Sequence, residues 1–133
     1  MLAITSKSPY AVRALVELAR RGDDQPVPIG EIAKARDIPV QFLEGLFATL
    51  RRAGLLASQR GVKGGYRFAR SPEEVTVLEV TELLDGELGT GPCSEDRVWT
   101  DTTAALTAVL RAATIAELAE REAAESAPAM YYI

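Results

Sequence analysis

VQFLEGLFATLRRAGLLASQRGVKGGYRFAR, residues 40–70, changes character partway along. From Val40 to Ala53, the residues Phe42, Leu43, Leu46, Phe47 and Leu50 recur at the spacing of a helix with one apolar face, and Gly54 supplies the stop. Leu55–Gln59 and Tyr66–Ala69 then read as two short strands. Between them lies Arg60-Gly61-Val62-Lys63-Gly64-Gly65, a glycine-rich turn suited to a β-hairpin. Its glycines allow backbone to approach a phosphate closely. Turn-making alone accounts for the glycines, but not for Arg60 and Lys63 at the tip. No GxxxxGK[ST] pattern is present, so the loop is not a P-loop.

Upstream, Ser8-Pro9 reads as a helix start, with Ser8 as N-cap and Pro9 at the first helical position, where a missing N–H costs nothing. Val12, Leu15, Val16, Leu18 and Ala19 carry that helix to Arg20-Arg21-Gly22. Pro28 opens a short second helix with Ile32 and Ala33 facing inward. It closes near Arg36, because Pro39 pushes Ile38 out of the α region. Three amphipathic helices alone suit many small bundles. A supporting helix, two helices joined by a tight turn and then a hairpin make a winged helix-turn-helix.

Downstream, Ser71-Pro72-Glu73-Glu74 closes the hairpin, and the capping box Thr76-x-x-Glu79 opens a helix of Val77, Leu78, Val80, Leu83 and Leu84 that ends at Asp85-Gly86. A polar loop around Cys93 follows. Trp99, Thr103, Leu106, Leu110 and Ala113 then step by four, three, four and three, a narrow stripe that packs either within the chain or against a second copy. A second capping box, Thr114-x-x-Glu117, starts another helix. The expected fold is mainly α with a small β-hairpin wing: a winged helix-turn-helix plus a long C-terminal dimerisation helix. The expected divisions are a DNA-binding domain at 1–86, a sensor-type loop at 87–97, dimerisation helices at 98–125 and a flexible tail at 126–133.

Composition narrows the function. The chain has 133 residues, 47% of them hydrophobic, enough for one domain without disulfides or metal. With one Cys and no His, neither a Ser-His-Asp nor a Cys-His triad can be assembled, so an enzyme is not expected. The same scarcity argues against a protein-held zinc site, and no metal or other cofactor is expected. There is no long apolar run and no leader-like N-terminus, so the expectation is a cytoplasmic protein with no membrane partner.

The net charge of −4 conceals a strong polarity. Residues 1–44 balance six basic against six acidic side chains, whereas residues 45–72 hold Arg51, Arg52, Arg60, Lys63, Arg67 and Arg70 and no acid. Residues 73–133 carry three basic and thirteen acidic side chains. Six cations without a carboxylate, across the third helix and the wing, suit a face for double-stranded DNA; a basic but functionless surface is the alternative.

TSKSPYAVRALVELA (5–19) and IGEIAKARDIPVQFLEGLFATLRRAGLLASQRGVKGGYRFARSPEEVTVLEVTELLDGEL (29–88) together resemble the Rrf2 family of bacterial winged-helix regulators, which includes iron–sulfur-cluster regulators, nitric-oxide sensors and cysteine-metabolism repressors. The most specific phrases are FLEGLFATLRRAGLL joined to SQRGVKGGY, and SK-x-x-YAVRAL. The resemblance implies a homodimeric transcription regulator, a repressor by preference, whose long helix crosses to its partner. That assigns Trp99, Leu106, Leu110 and Ala113 to the dimer interface.

Carried over position by position, it places Gln41 and Glu44 where side chains reach base edges. Gln can pair bidentately with adenine, and Glu can accept from cytosine N4. Arg60 resembles the wing residue that enters the minor groove, flanked by Gly61 and Gly64, with Ser6, Lys7, Arg51 and Lys63 on phosphates. Phe42 and Tyr66 are read as core rather than as stacking platforms.

The chain departs from cluster-binding relatives, which carry three Cys in the loop where this sequence keeps only Cys93. A cluster is therefore not expected. Two replacements stay open: Cys93 as a redox switch, or, as in the cluster-free cysteine-metabolism branch, control by a small-molecule or protein effector. A winged-helix protein–protein adaptor without a DNA role is the competing function.

Overall fold

A computed structural model describes residues 4–22, 25–90 and 95–126. The first helix, α1 (Lys7–Arg20), presents Ala11, Ala14, Leu15 and Leu18 to the interior. It begins earlier than the Ser8-Pro9 signal suggests. Ser6 occupies the N-cap position, and Pro9 still falls in the first turn, where its missing N–H is harmless. Ser8 is not the cap: its side chain is 3% exposed and is engaged by a residue of another helix.

Helix α2 (Ile29–Arg36) ends in Asp37, which adopts the left-handed conformation at φ 54°, and Ile38 turns into the core before Pro39 starts α3 (Val40–Arg52). Leu43, Leu46, Phe47 and Leu50 of α3 pack against α1 and α2. Strands β1 (Leu56–Gln59) and β2 (Gly65–Phe68) then form an antiparallel hairpin, with Leu56 opposite Phe68 and Gln59 opposite Gly65.

The hairpin is fastened to the body. Val27 and Tyr66 exchange both backbone hydrogen bonds, at 2.9 and 2.8 Å, and the Tyr66 ring meets Phe47 edge-on. The Val27 backbone lies so close that a Cβ on Gly65 would fall 2.3 Å from its carbonyl, so this position is a glycine for packing reasons.

Both Thr-x-x-Glu signals mark true helix starts, each with its threonine cap bond. Thr76 accepts from the Glu79 N–H at the start of α4 (Val77–Asp85), and Thr114 accepts from Glu117 N–H at the start of α6 (Ile115–Glu125), each at 3.1 Å. Between them runs α5 (Arg97–Ala112). An extended Ala113 separates α5 from α6, and the short bridge Thr76–Thr114 ties this junction to the start of α4.

The two helices within 98–125 pack differently. Helix α6 folds back on α1 and buries Ile115 and Ala119 in the same core as α1–α3. Helix α5 rests on α4 and buries none of its sixteen residues. No described helix is long and apolar enough to cross a membrane.

Candidate nucleic-acid interface

Pro39 caps α3 with no side-chain hydrogen bond, and the first turn of α3 contains no acid. The N-terminal end of α3 therefore presents amide N–H groups with no carboxylate in the first turn. Gln41 and Glu44, one turn apart on this end, are both exposed. The opposite face, from Leu43 to Leu50, is buried, so the helix is held by one side and offers the other.

Lys7, at the start of α1, lines one open cleft of about 400 Å³ together with Gln41, Phe42, Gly45, Leu46, Thr49, Leu83 and Leu84. The structure thus brings Lys7 beside the outward face of α3 although the two are remote in sequence. Ser6 is exposed next to it. Phe42 is half-buried and meets Tyr10 edge-on at 5.6 Å, a packing role.

The wing follows directly on the C-terminal end of α3. Arg51, in the last turn of α3, donates to Ser58 Oγ on β1 at 3.3 Å and so bridges helix and hairpin. Arg60, Gly61, Val62 and Lys63 are all exposed at the tip. Gly64 is partly enclosed: its N–H donates to the Gly61 carbonyl at 2.9 Å, and a Cβ there would strike Gln59 O. Its glycine identity serves the turn.

Arg51, Arg52, Arg60, Lys63 and Arg67 enter no ion pair among the described residues. Arg70 is the exception within the basic window. It pairs with Glu79 of α4 at 2.7 Å and donates to Glu74 O, and the Glu79 hydrogen bond raises its pKa against the cost of burial. Arg52 and Arg67, which no motif singled out, are exposed alongside the assigned residues. Glu44 is the one acid between positions 38 and 72, so the α3–wing surface is positive around a single carboxylate.

Behind this surface the helices are tied by a network of ions. Arg36, 13% exposed, donates through Nε to Glu17 of α1 at 2.9 Å and through both terminal nitrogens to Glu122 of α6. Arg20 joins Glu122 at 2.7 Å, and Arg21 links Glu17 to Glu31 at 3.0 and 3.1 Å. Hydrogen bonding from Arg36 outweighs burial and, with help from Arg20, holds the Glu122 carboxyl down to about 2. The Arg36 guanidinium is correspondingly raised, chiefly by its bonds to Glu122.

Of the residues assigned to a second copy, Leu106, Leu110 and Ala113 are half-buried by this chain's own packing, and the Ala113 carbonyl accepts from Val77 N–H at 2.9 Å. The more open apolar side of α5 is Val98, Trp99 and Val109, at 62, 50 and 67% exposure. Val98 and Val109, with Thr102 and Ala105 between them, form a second stripe next to the expected one. Cys93 lies outside the described residues. Among the described residues no group of three or more Cys, His, Asp or Glu is placed to hold a metal ion.

A family model described as Rrf2, an iron-dependent transcriptional regulator, matches residues 4–121. The HTH-type transcriptional regulator IscR of Aliivibrio salmonicida is 39% identical over 92 residues, which is 69% of this chain and 55% of that protein; the chain spans little more than half the length of that relative. Two solved structures are similar at a TM-score of 0.81. T. potens IscR is 33% identical, with 99% of this chain and 97% of that one covered. CymR (YrzC), the global cysteine regulator of B. subtilis, is 28% identical, with 91% and 98% covered.

Proposed function

This chain belongs to the Rrf2 family of transcriptional regulators, and on that footing we propose that it binds double-stranded DNA sequence-specifically as a homodimer and represses transcription from the promoters it occupies. The observation that carries this reading is the set of exposed cations from α3 to the wing tip, which enter no ion pair among the described residues, on the same helix-and-hairpin segment as the exposed Gln41 and Glu44. Gln41 and Glu44 read base edges in the major groove. Arg60 enters the adjacent minor groove with Gly61 beside it, and Ser6, Lys7, Arg51 and Lys63 hold phosphates. Two copies joined through α5 read half-sites about 34 Å apart.

The donor chemistry of the chain does not fit an iron–sulfur cluster. Clusters are held mainly by thiolates with His as the usual substitute, and each chain supplies one thiolate and no imidazole. The proposed regulator is therefore cluster-free and answers to another signal: a small-molecule or protein effector, linked to cysteine and sulfur metabolism, or oxidation of Cys93. Replacing Cys93 with Ser tests the redox reading: a Cys93 switch loses its peroxide response, and DNA affinity that stays peroxide-sensitive in the variant rejects it. Anaerobic purification followed by an absorption spectrum and an iron assay tests the cofactor reading directly.

The DNA reading is tested by gel shifts on duplexes enriched from a random library, repeated across salt concentrations. A regulator gripping phosphates loses affinity steeply as salt rises through counterion release. Negligible duplex binding at every salt concentration would reject it in favour of a winged-helix adaptor.

A further inference from the structure

Asp85 is an acid in an unfavourable place. It ends α4, where the helix dipole is negative, and no basic residue occupies the last turn to offset it. Its partners explain the position. Ser8 Oγ donates to Oδ2 at 2.5 Å and Thr5 Oγ1 donates to Oδ1 at 2.6 Å, so the carboxylate spans the start of α1 from outside that helix. Helix α1 has the complementary deficiency: its N-cap Ser6 makes no side-chain cap bond, and its first turn contains no acid. The positive end of one helix and the negative end of another thus meet at one carboxylate. Burial pushes the Asp85 pKa up, but the Ser8 and Thr5 hydrogen bonds, with the charge of Lys7, leave it below the ordinary value.

The contact continues toward the interface. Thr5 Oγ1, which donates to Asp85, accepts from the Lys7 backbone N–H at 3.2 Å. Lys7 lines the cleft it shares with Gln41 and Thr49 of α3. We propose that Asp85 is a positioning residue for DNA binding: by accepting from the Ser8 and Thr5 hydroxyls, it ties the start of α1 to the end of α4 and fixes the Thr5–Lys7 backbone so that Lys7 stands beside Gln41. This rests on the reading of α3 as the helix that meets DNA.

The test combines D85A, K7A and the double variant, with duplex affinity measured over a range of salt and amide hydrogen exchange measured without DNA. D85A is expected to weaken binding about five- to twentyfold, with K7A adding little on that background because the two act as one unit. The salt slope should fall by about one, as it does for K7A. Exchange at Lys7–Ala11 should quicken. A carboxylate acting only as a negative charge near phosphates predicts the reverse, tighter binding in D85A with the full K7A loss retained, and that result overturns the proposal, as does unchanged affinity. If D85A does not fold, T5V breaks the link while sparing Ser8, and it must show the same non-additivity with K7A. Wild-type protein that binds no duplex removes the DNA reading and with it the role of Asp85 in binding. Unchanged exchange in D85A likewise overturns the proposal, because Asp85 then does not fix the Thr5–Lys7 backbone.

Discussion

Arg60 and Arg51 are both arginines of the basic window, but they occupy different settings. Arg60 is exposed at the wing tip, whereas Arg51 is braced on Ser58 at the junction of α3 and β1. Arg60→Ala is expected to cost about 1–3 kcal/mol on the preferred duplex and to relax sequence preference next to the wing, whereas Arg51→Ala should weaken all duplexes about equally and shallow the salt slope. Equal losses from both variants on specific and random DNA would remove this division of roles. Glu44→Ala should lower discrimination between duplexes, since it deletes a base-edge acceptor from an otherwise positive surface. Gly45 offers a stability test at the same scale. It sits within α3 at an ordinary helical φ, and a Cβ there would meet nothing within 4 Å. Gly45→Ala should therefore stabilise the fold by about 0.5–1 kcal/mol, read as a raised urea midpoint.

At the scale of elements, the attachment of α6 matters most. Glu122 joins α6 to α1 and α2 through Arg20 and Arg36, and its carboxyl is held at about 2 against an ordinary 4.5. Because the folded value lies below the unfolded one, the stabilisation is complete above about pH 5 and is lost as pH falls through 4.5 toward 2. Glu122→Gln should cost about 1 kcal/mol at neutral pH, a modest figure because the carboxylate is one-third exposed, and should flatten the acid-side fall of the urea midpoint. A wild-type midpoint that does not change between pH 5 and 3 would contradict the assignment.

The helices themselves were largely legible from local signals. The Pro39 break, the Gly54 stop and both Thr-x-x-Glu boxes act within a few residues, so spacing alone locates them. Ser8 shows the limit of such local signals. Its sequence context is that of an N-cap, but the group that satisfies its hydroxyl, Asp85, is seventy-seven positions away. The one local hint of Asp85 was an acid at a helix C-terminus with no cation nearby.

For the whole molecule, the exposed helix α5 carries the prediction. An amphipathic helix with no buried residue and three large apolar side chains at half exposure or more is unfinished within one chain. Val109→Asp is expected to shift the protein from dimer to monomer in light scattering and to abolish high-affinity binding to paired half-sites, while leaving its helical circular dichroism intact. A wild-type protein that stays monomeric at micromolar concentration would remove the dimer from the proposal.

The order of elements, the hairpin between two helices, the cation-rich window and the content of one Cys and no His are all properties of residues close in sequence or of their numbers. Periodicity, capping and composition are local or additive, and they were readable without coordinates. Tertiary structure decided which polar groups meet across the chain: Arg70 turns away to Glu79, Glu122 fastens α6 to α1, Asp85 accepts from the Ser8 hydroxyl, and α6 enters the core while α5 stays outside. Such pairings depend on how helices pack in space, and no short-range pattern encodes which distant carboxylate will face a given hydroxyl or guanidinium.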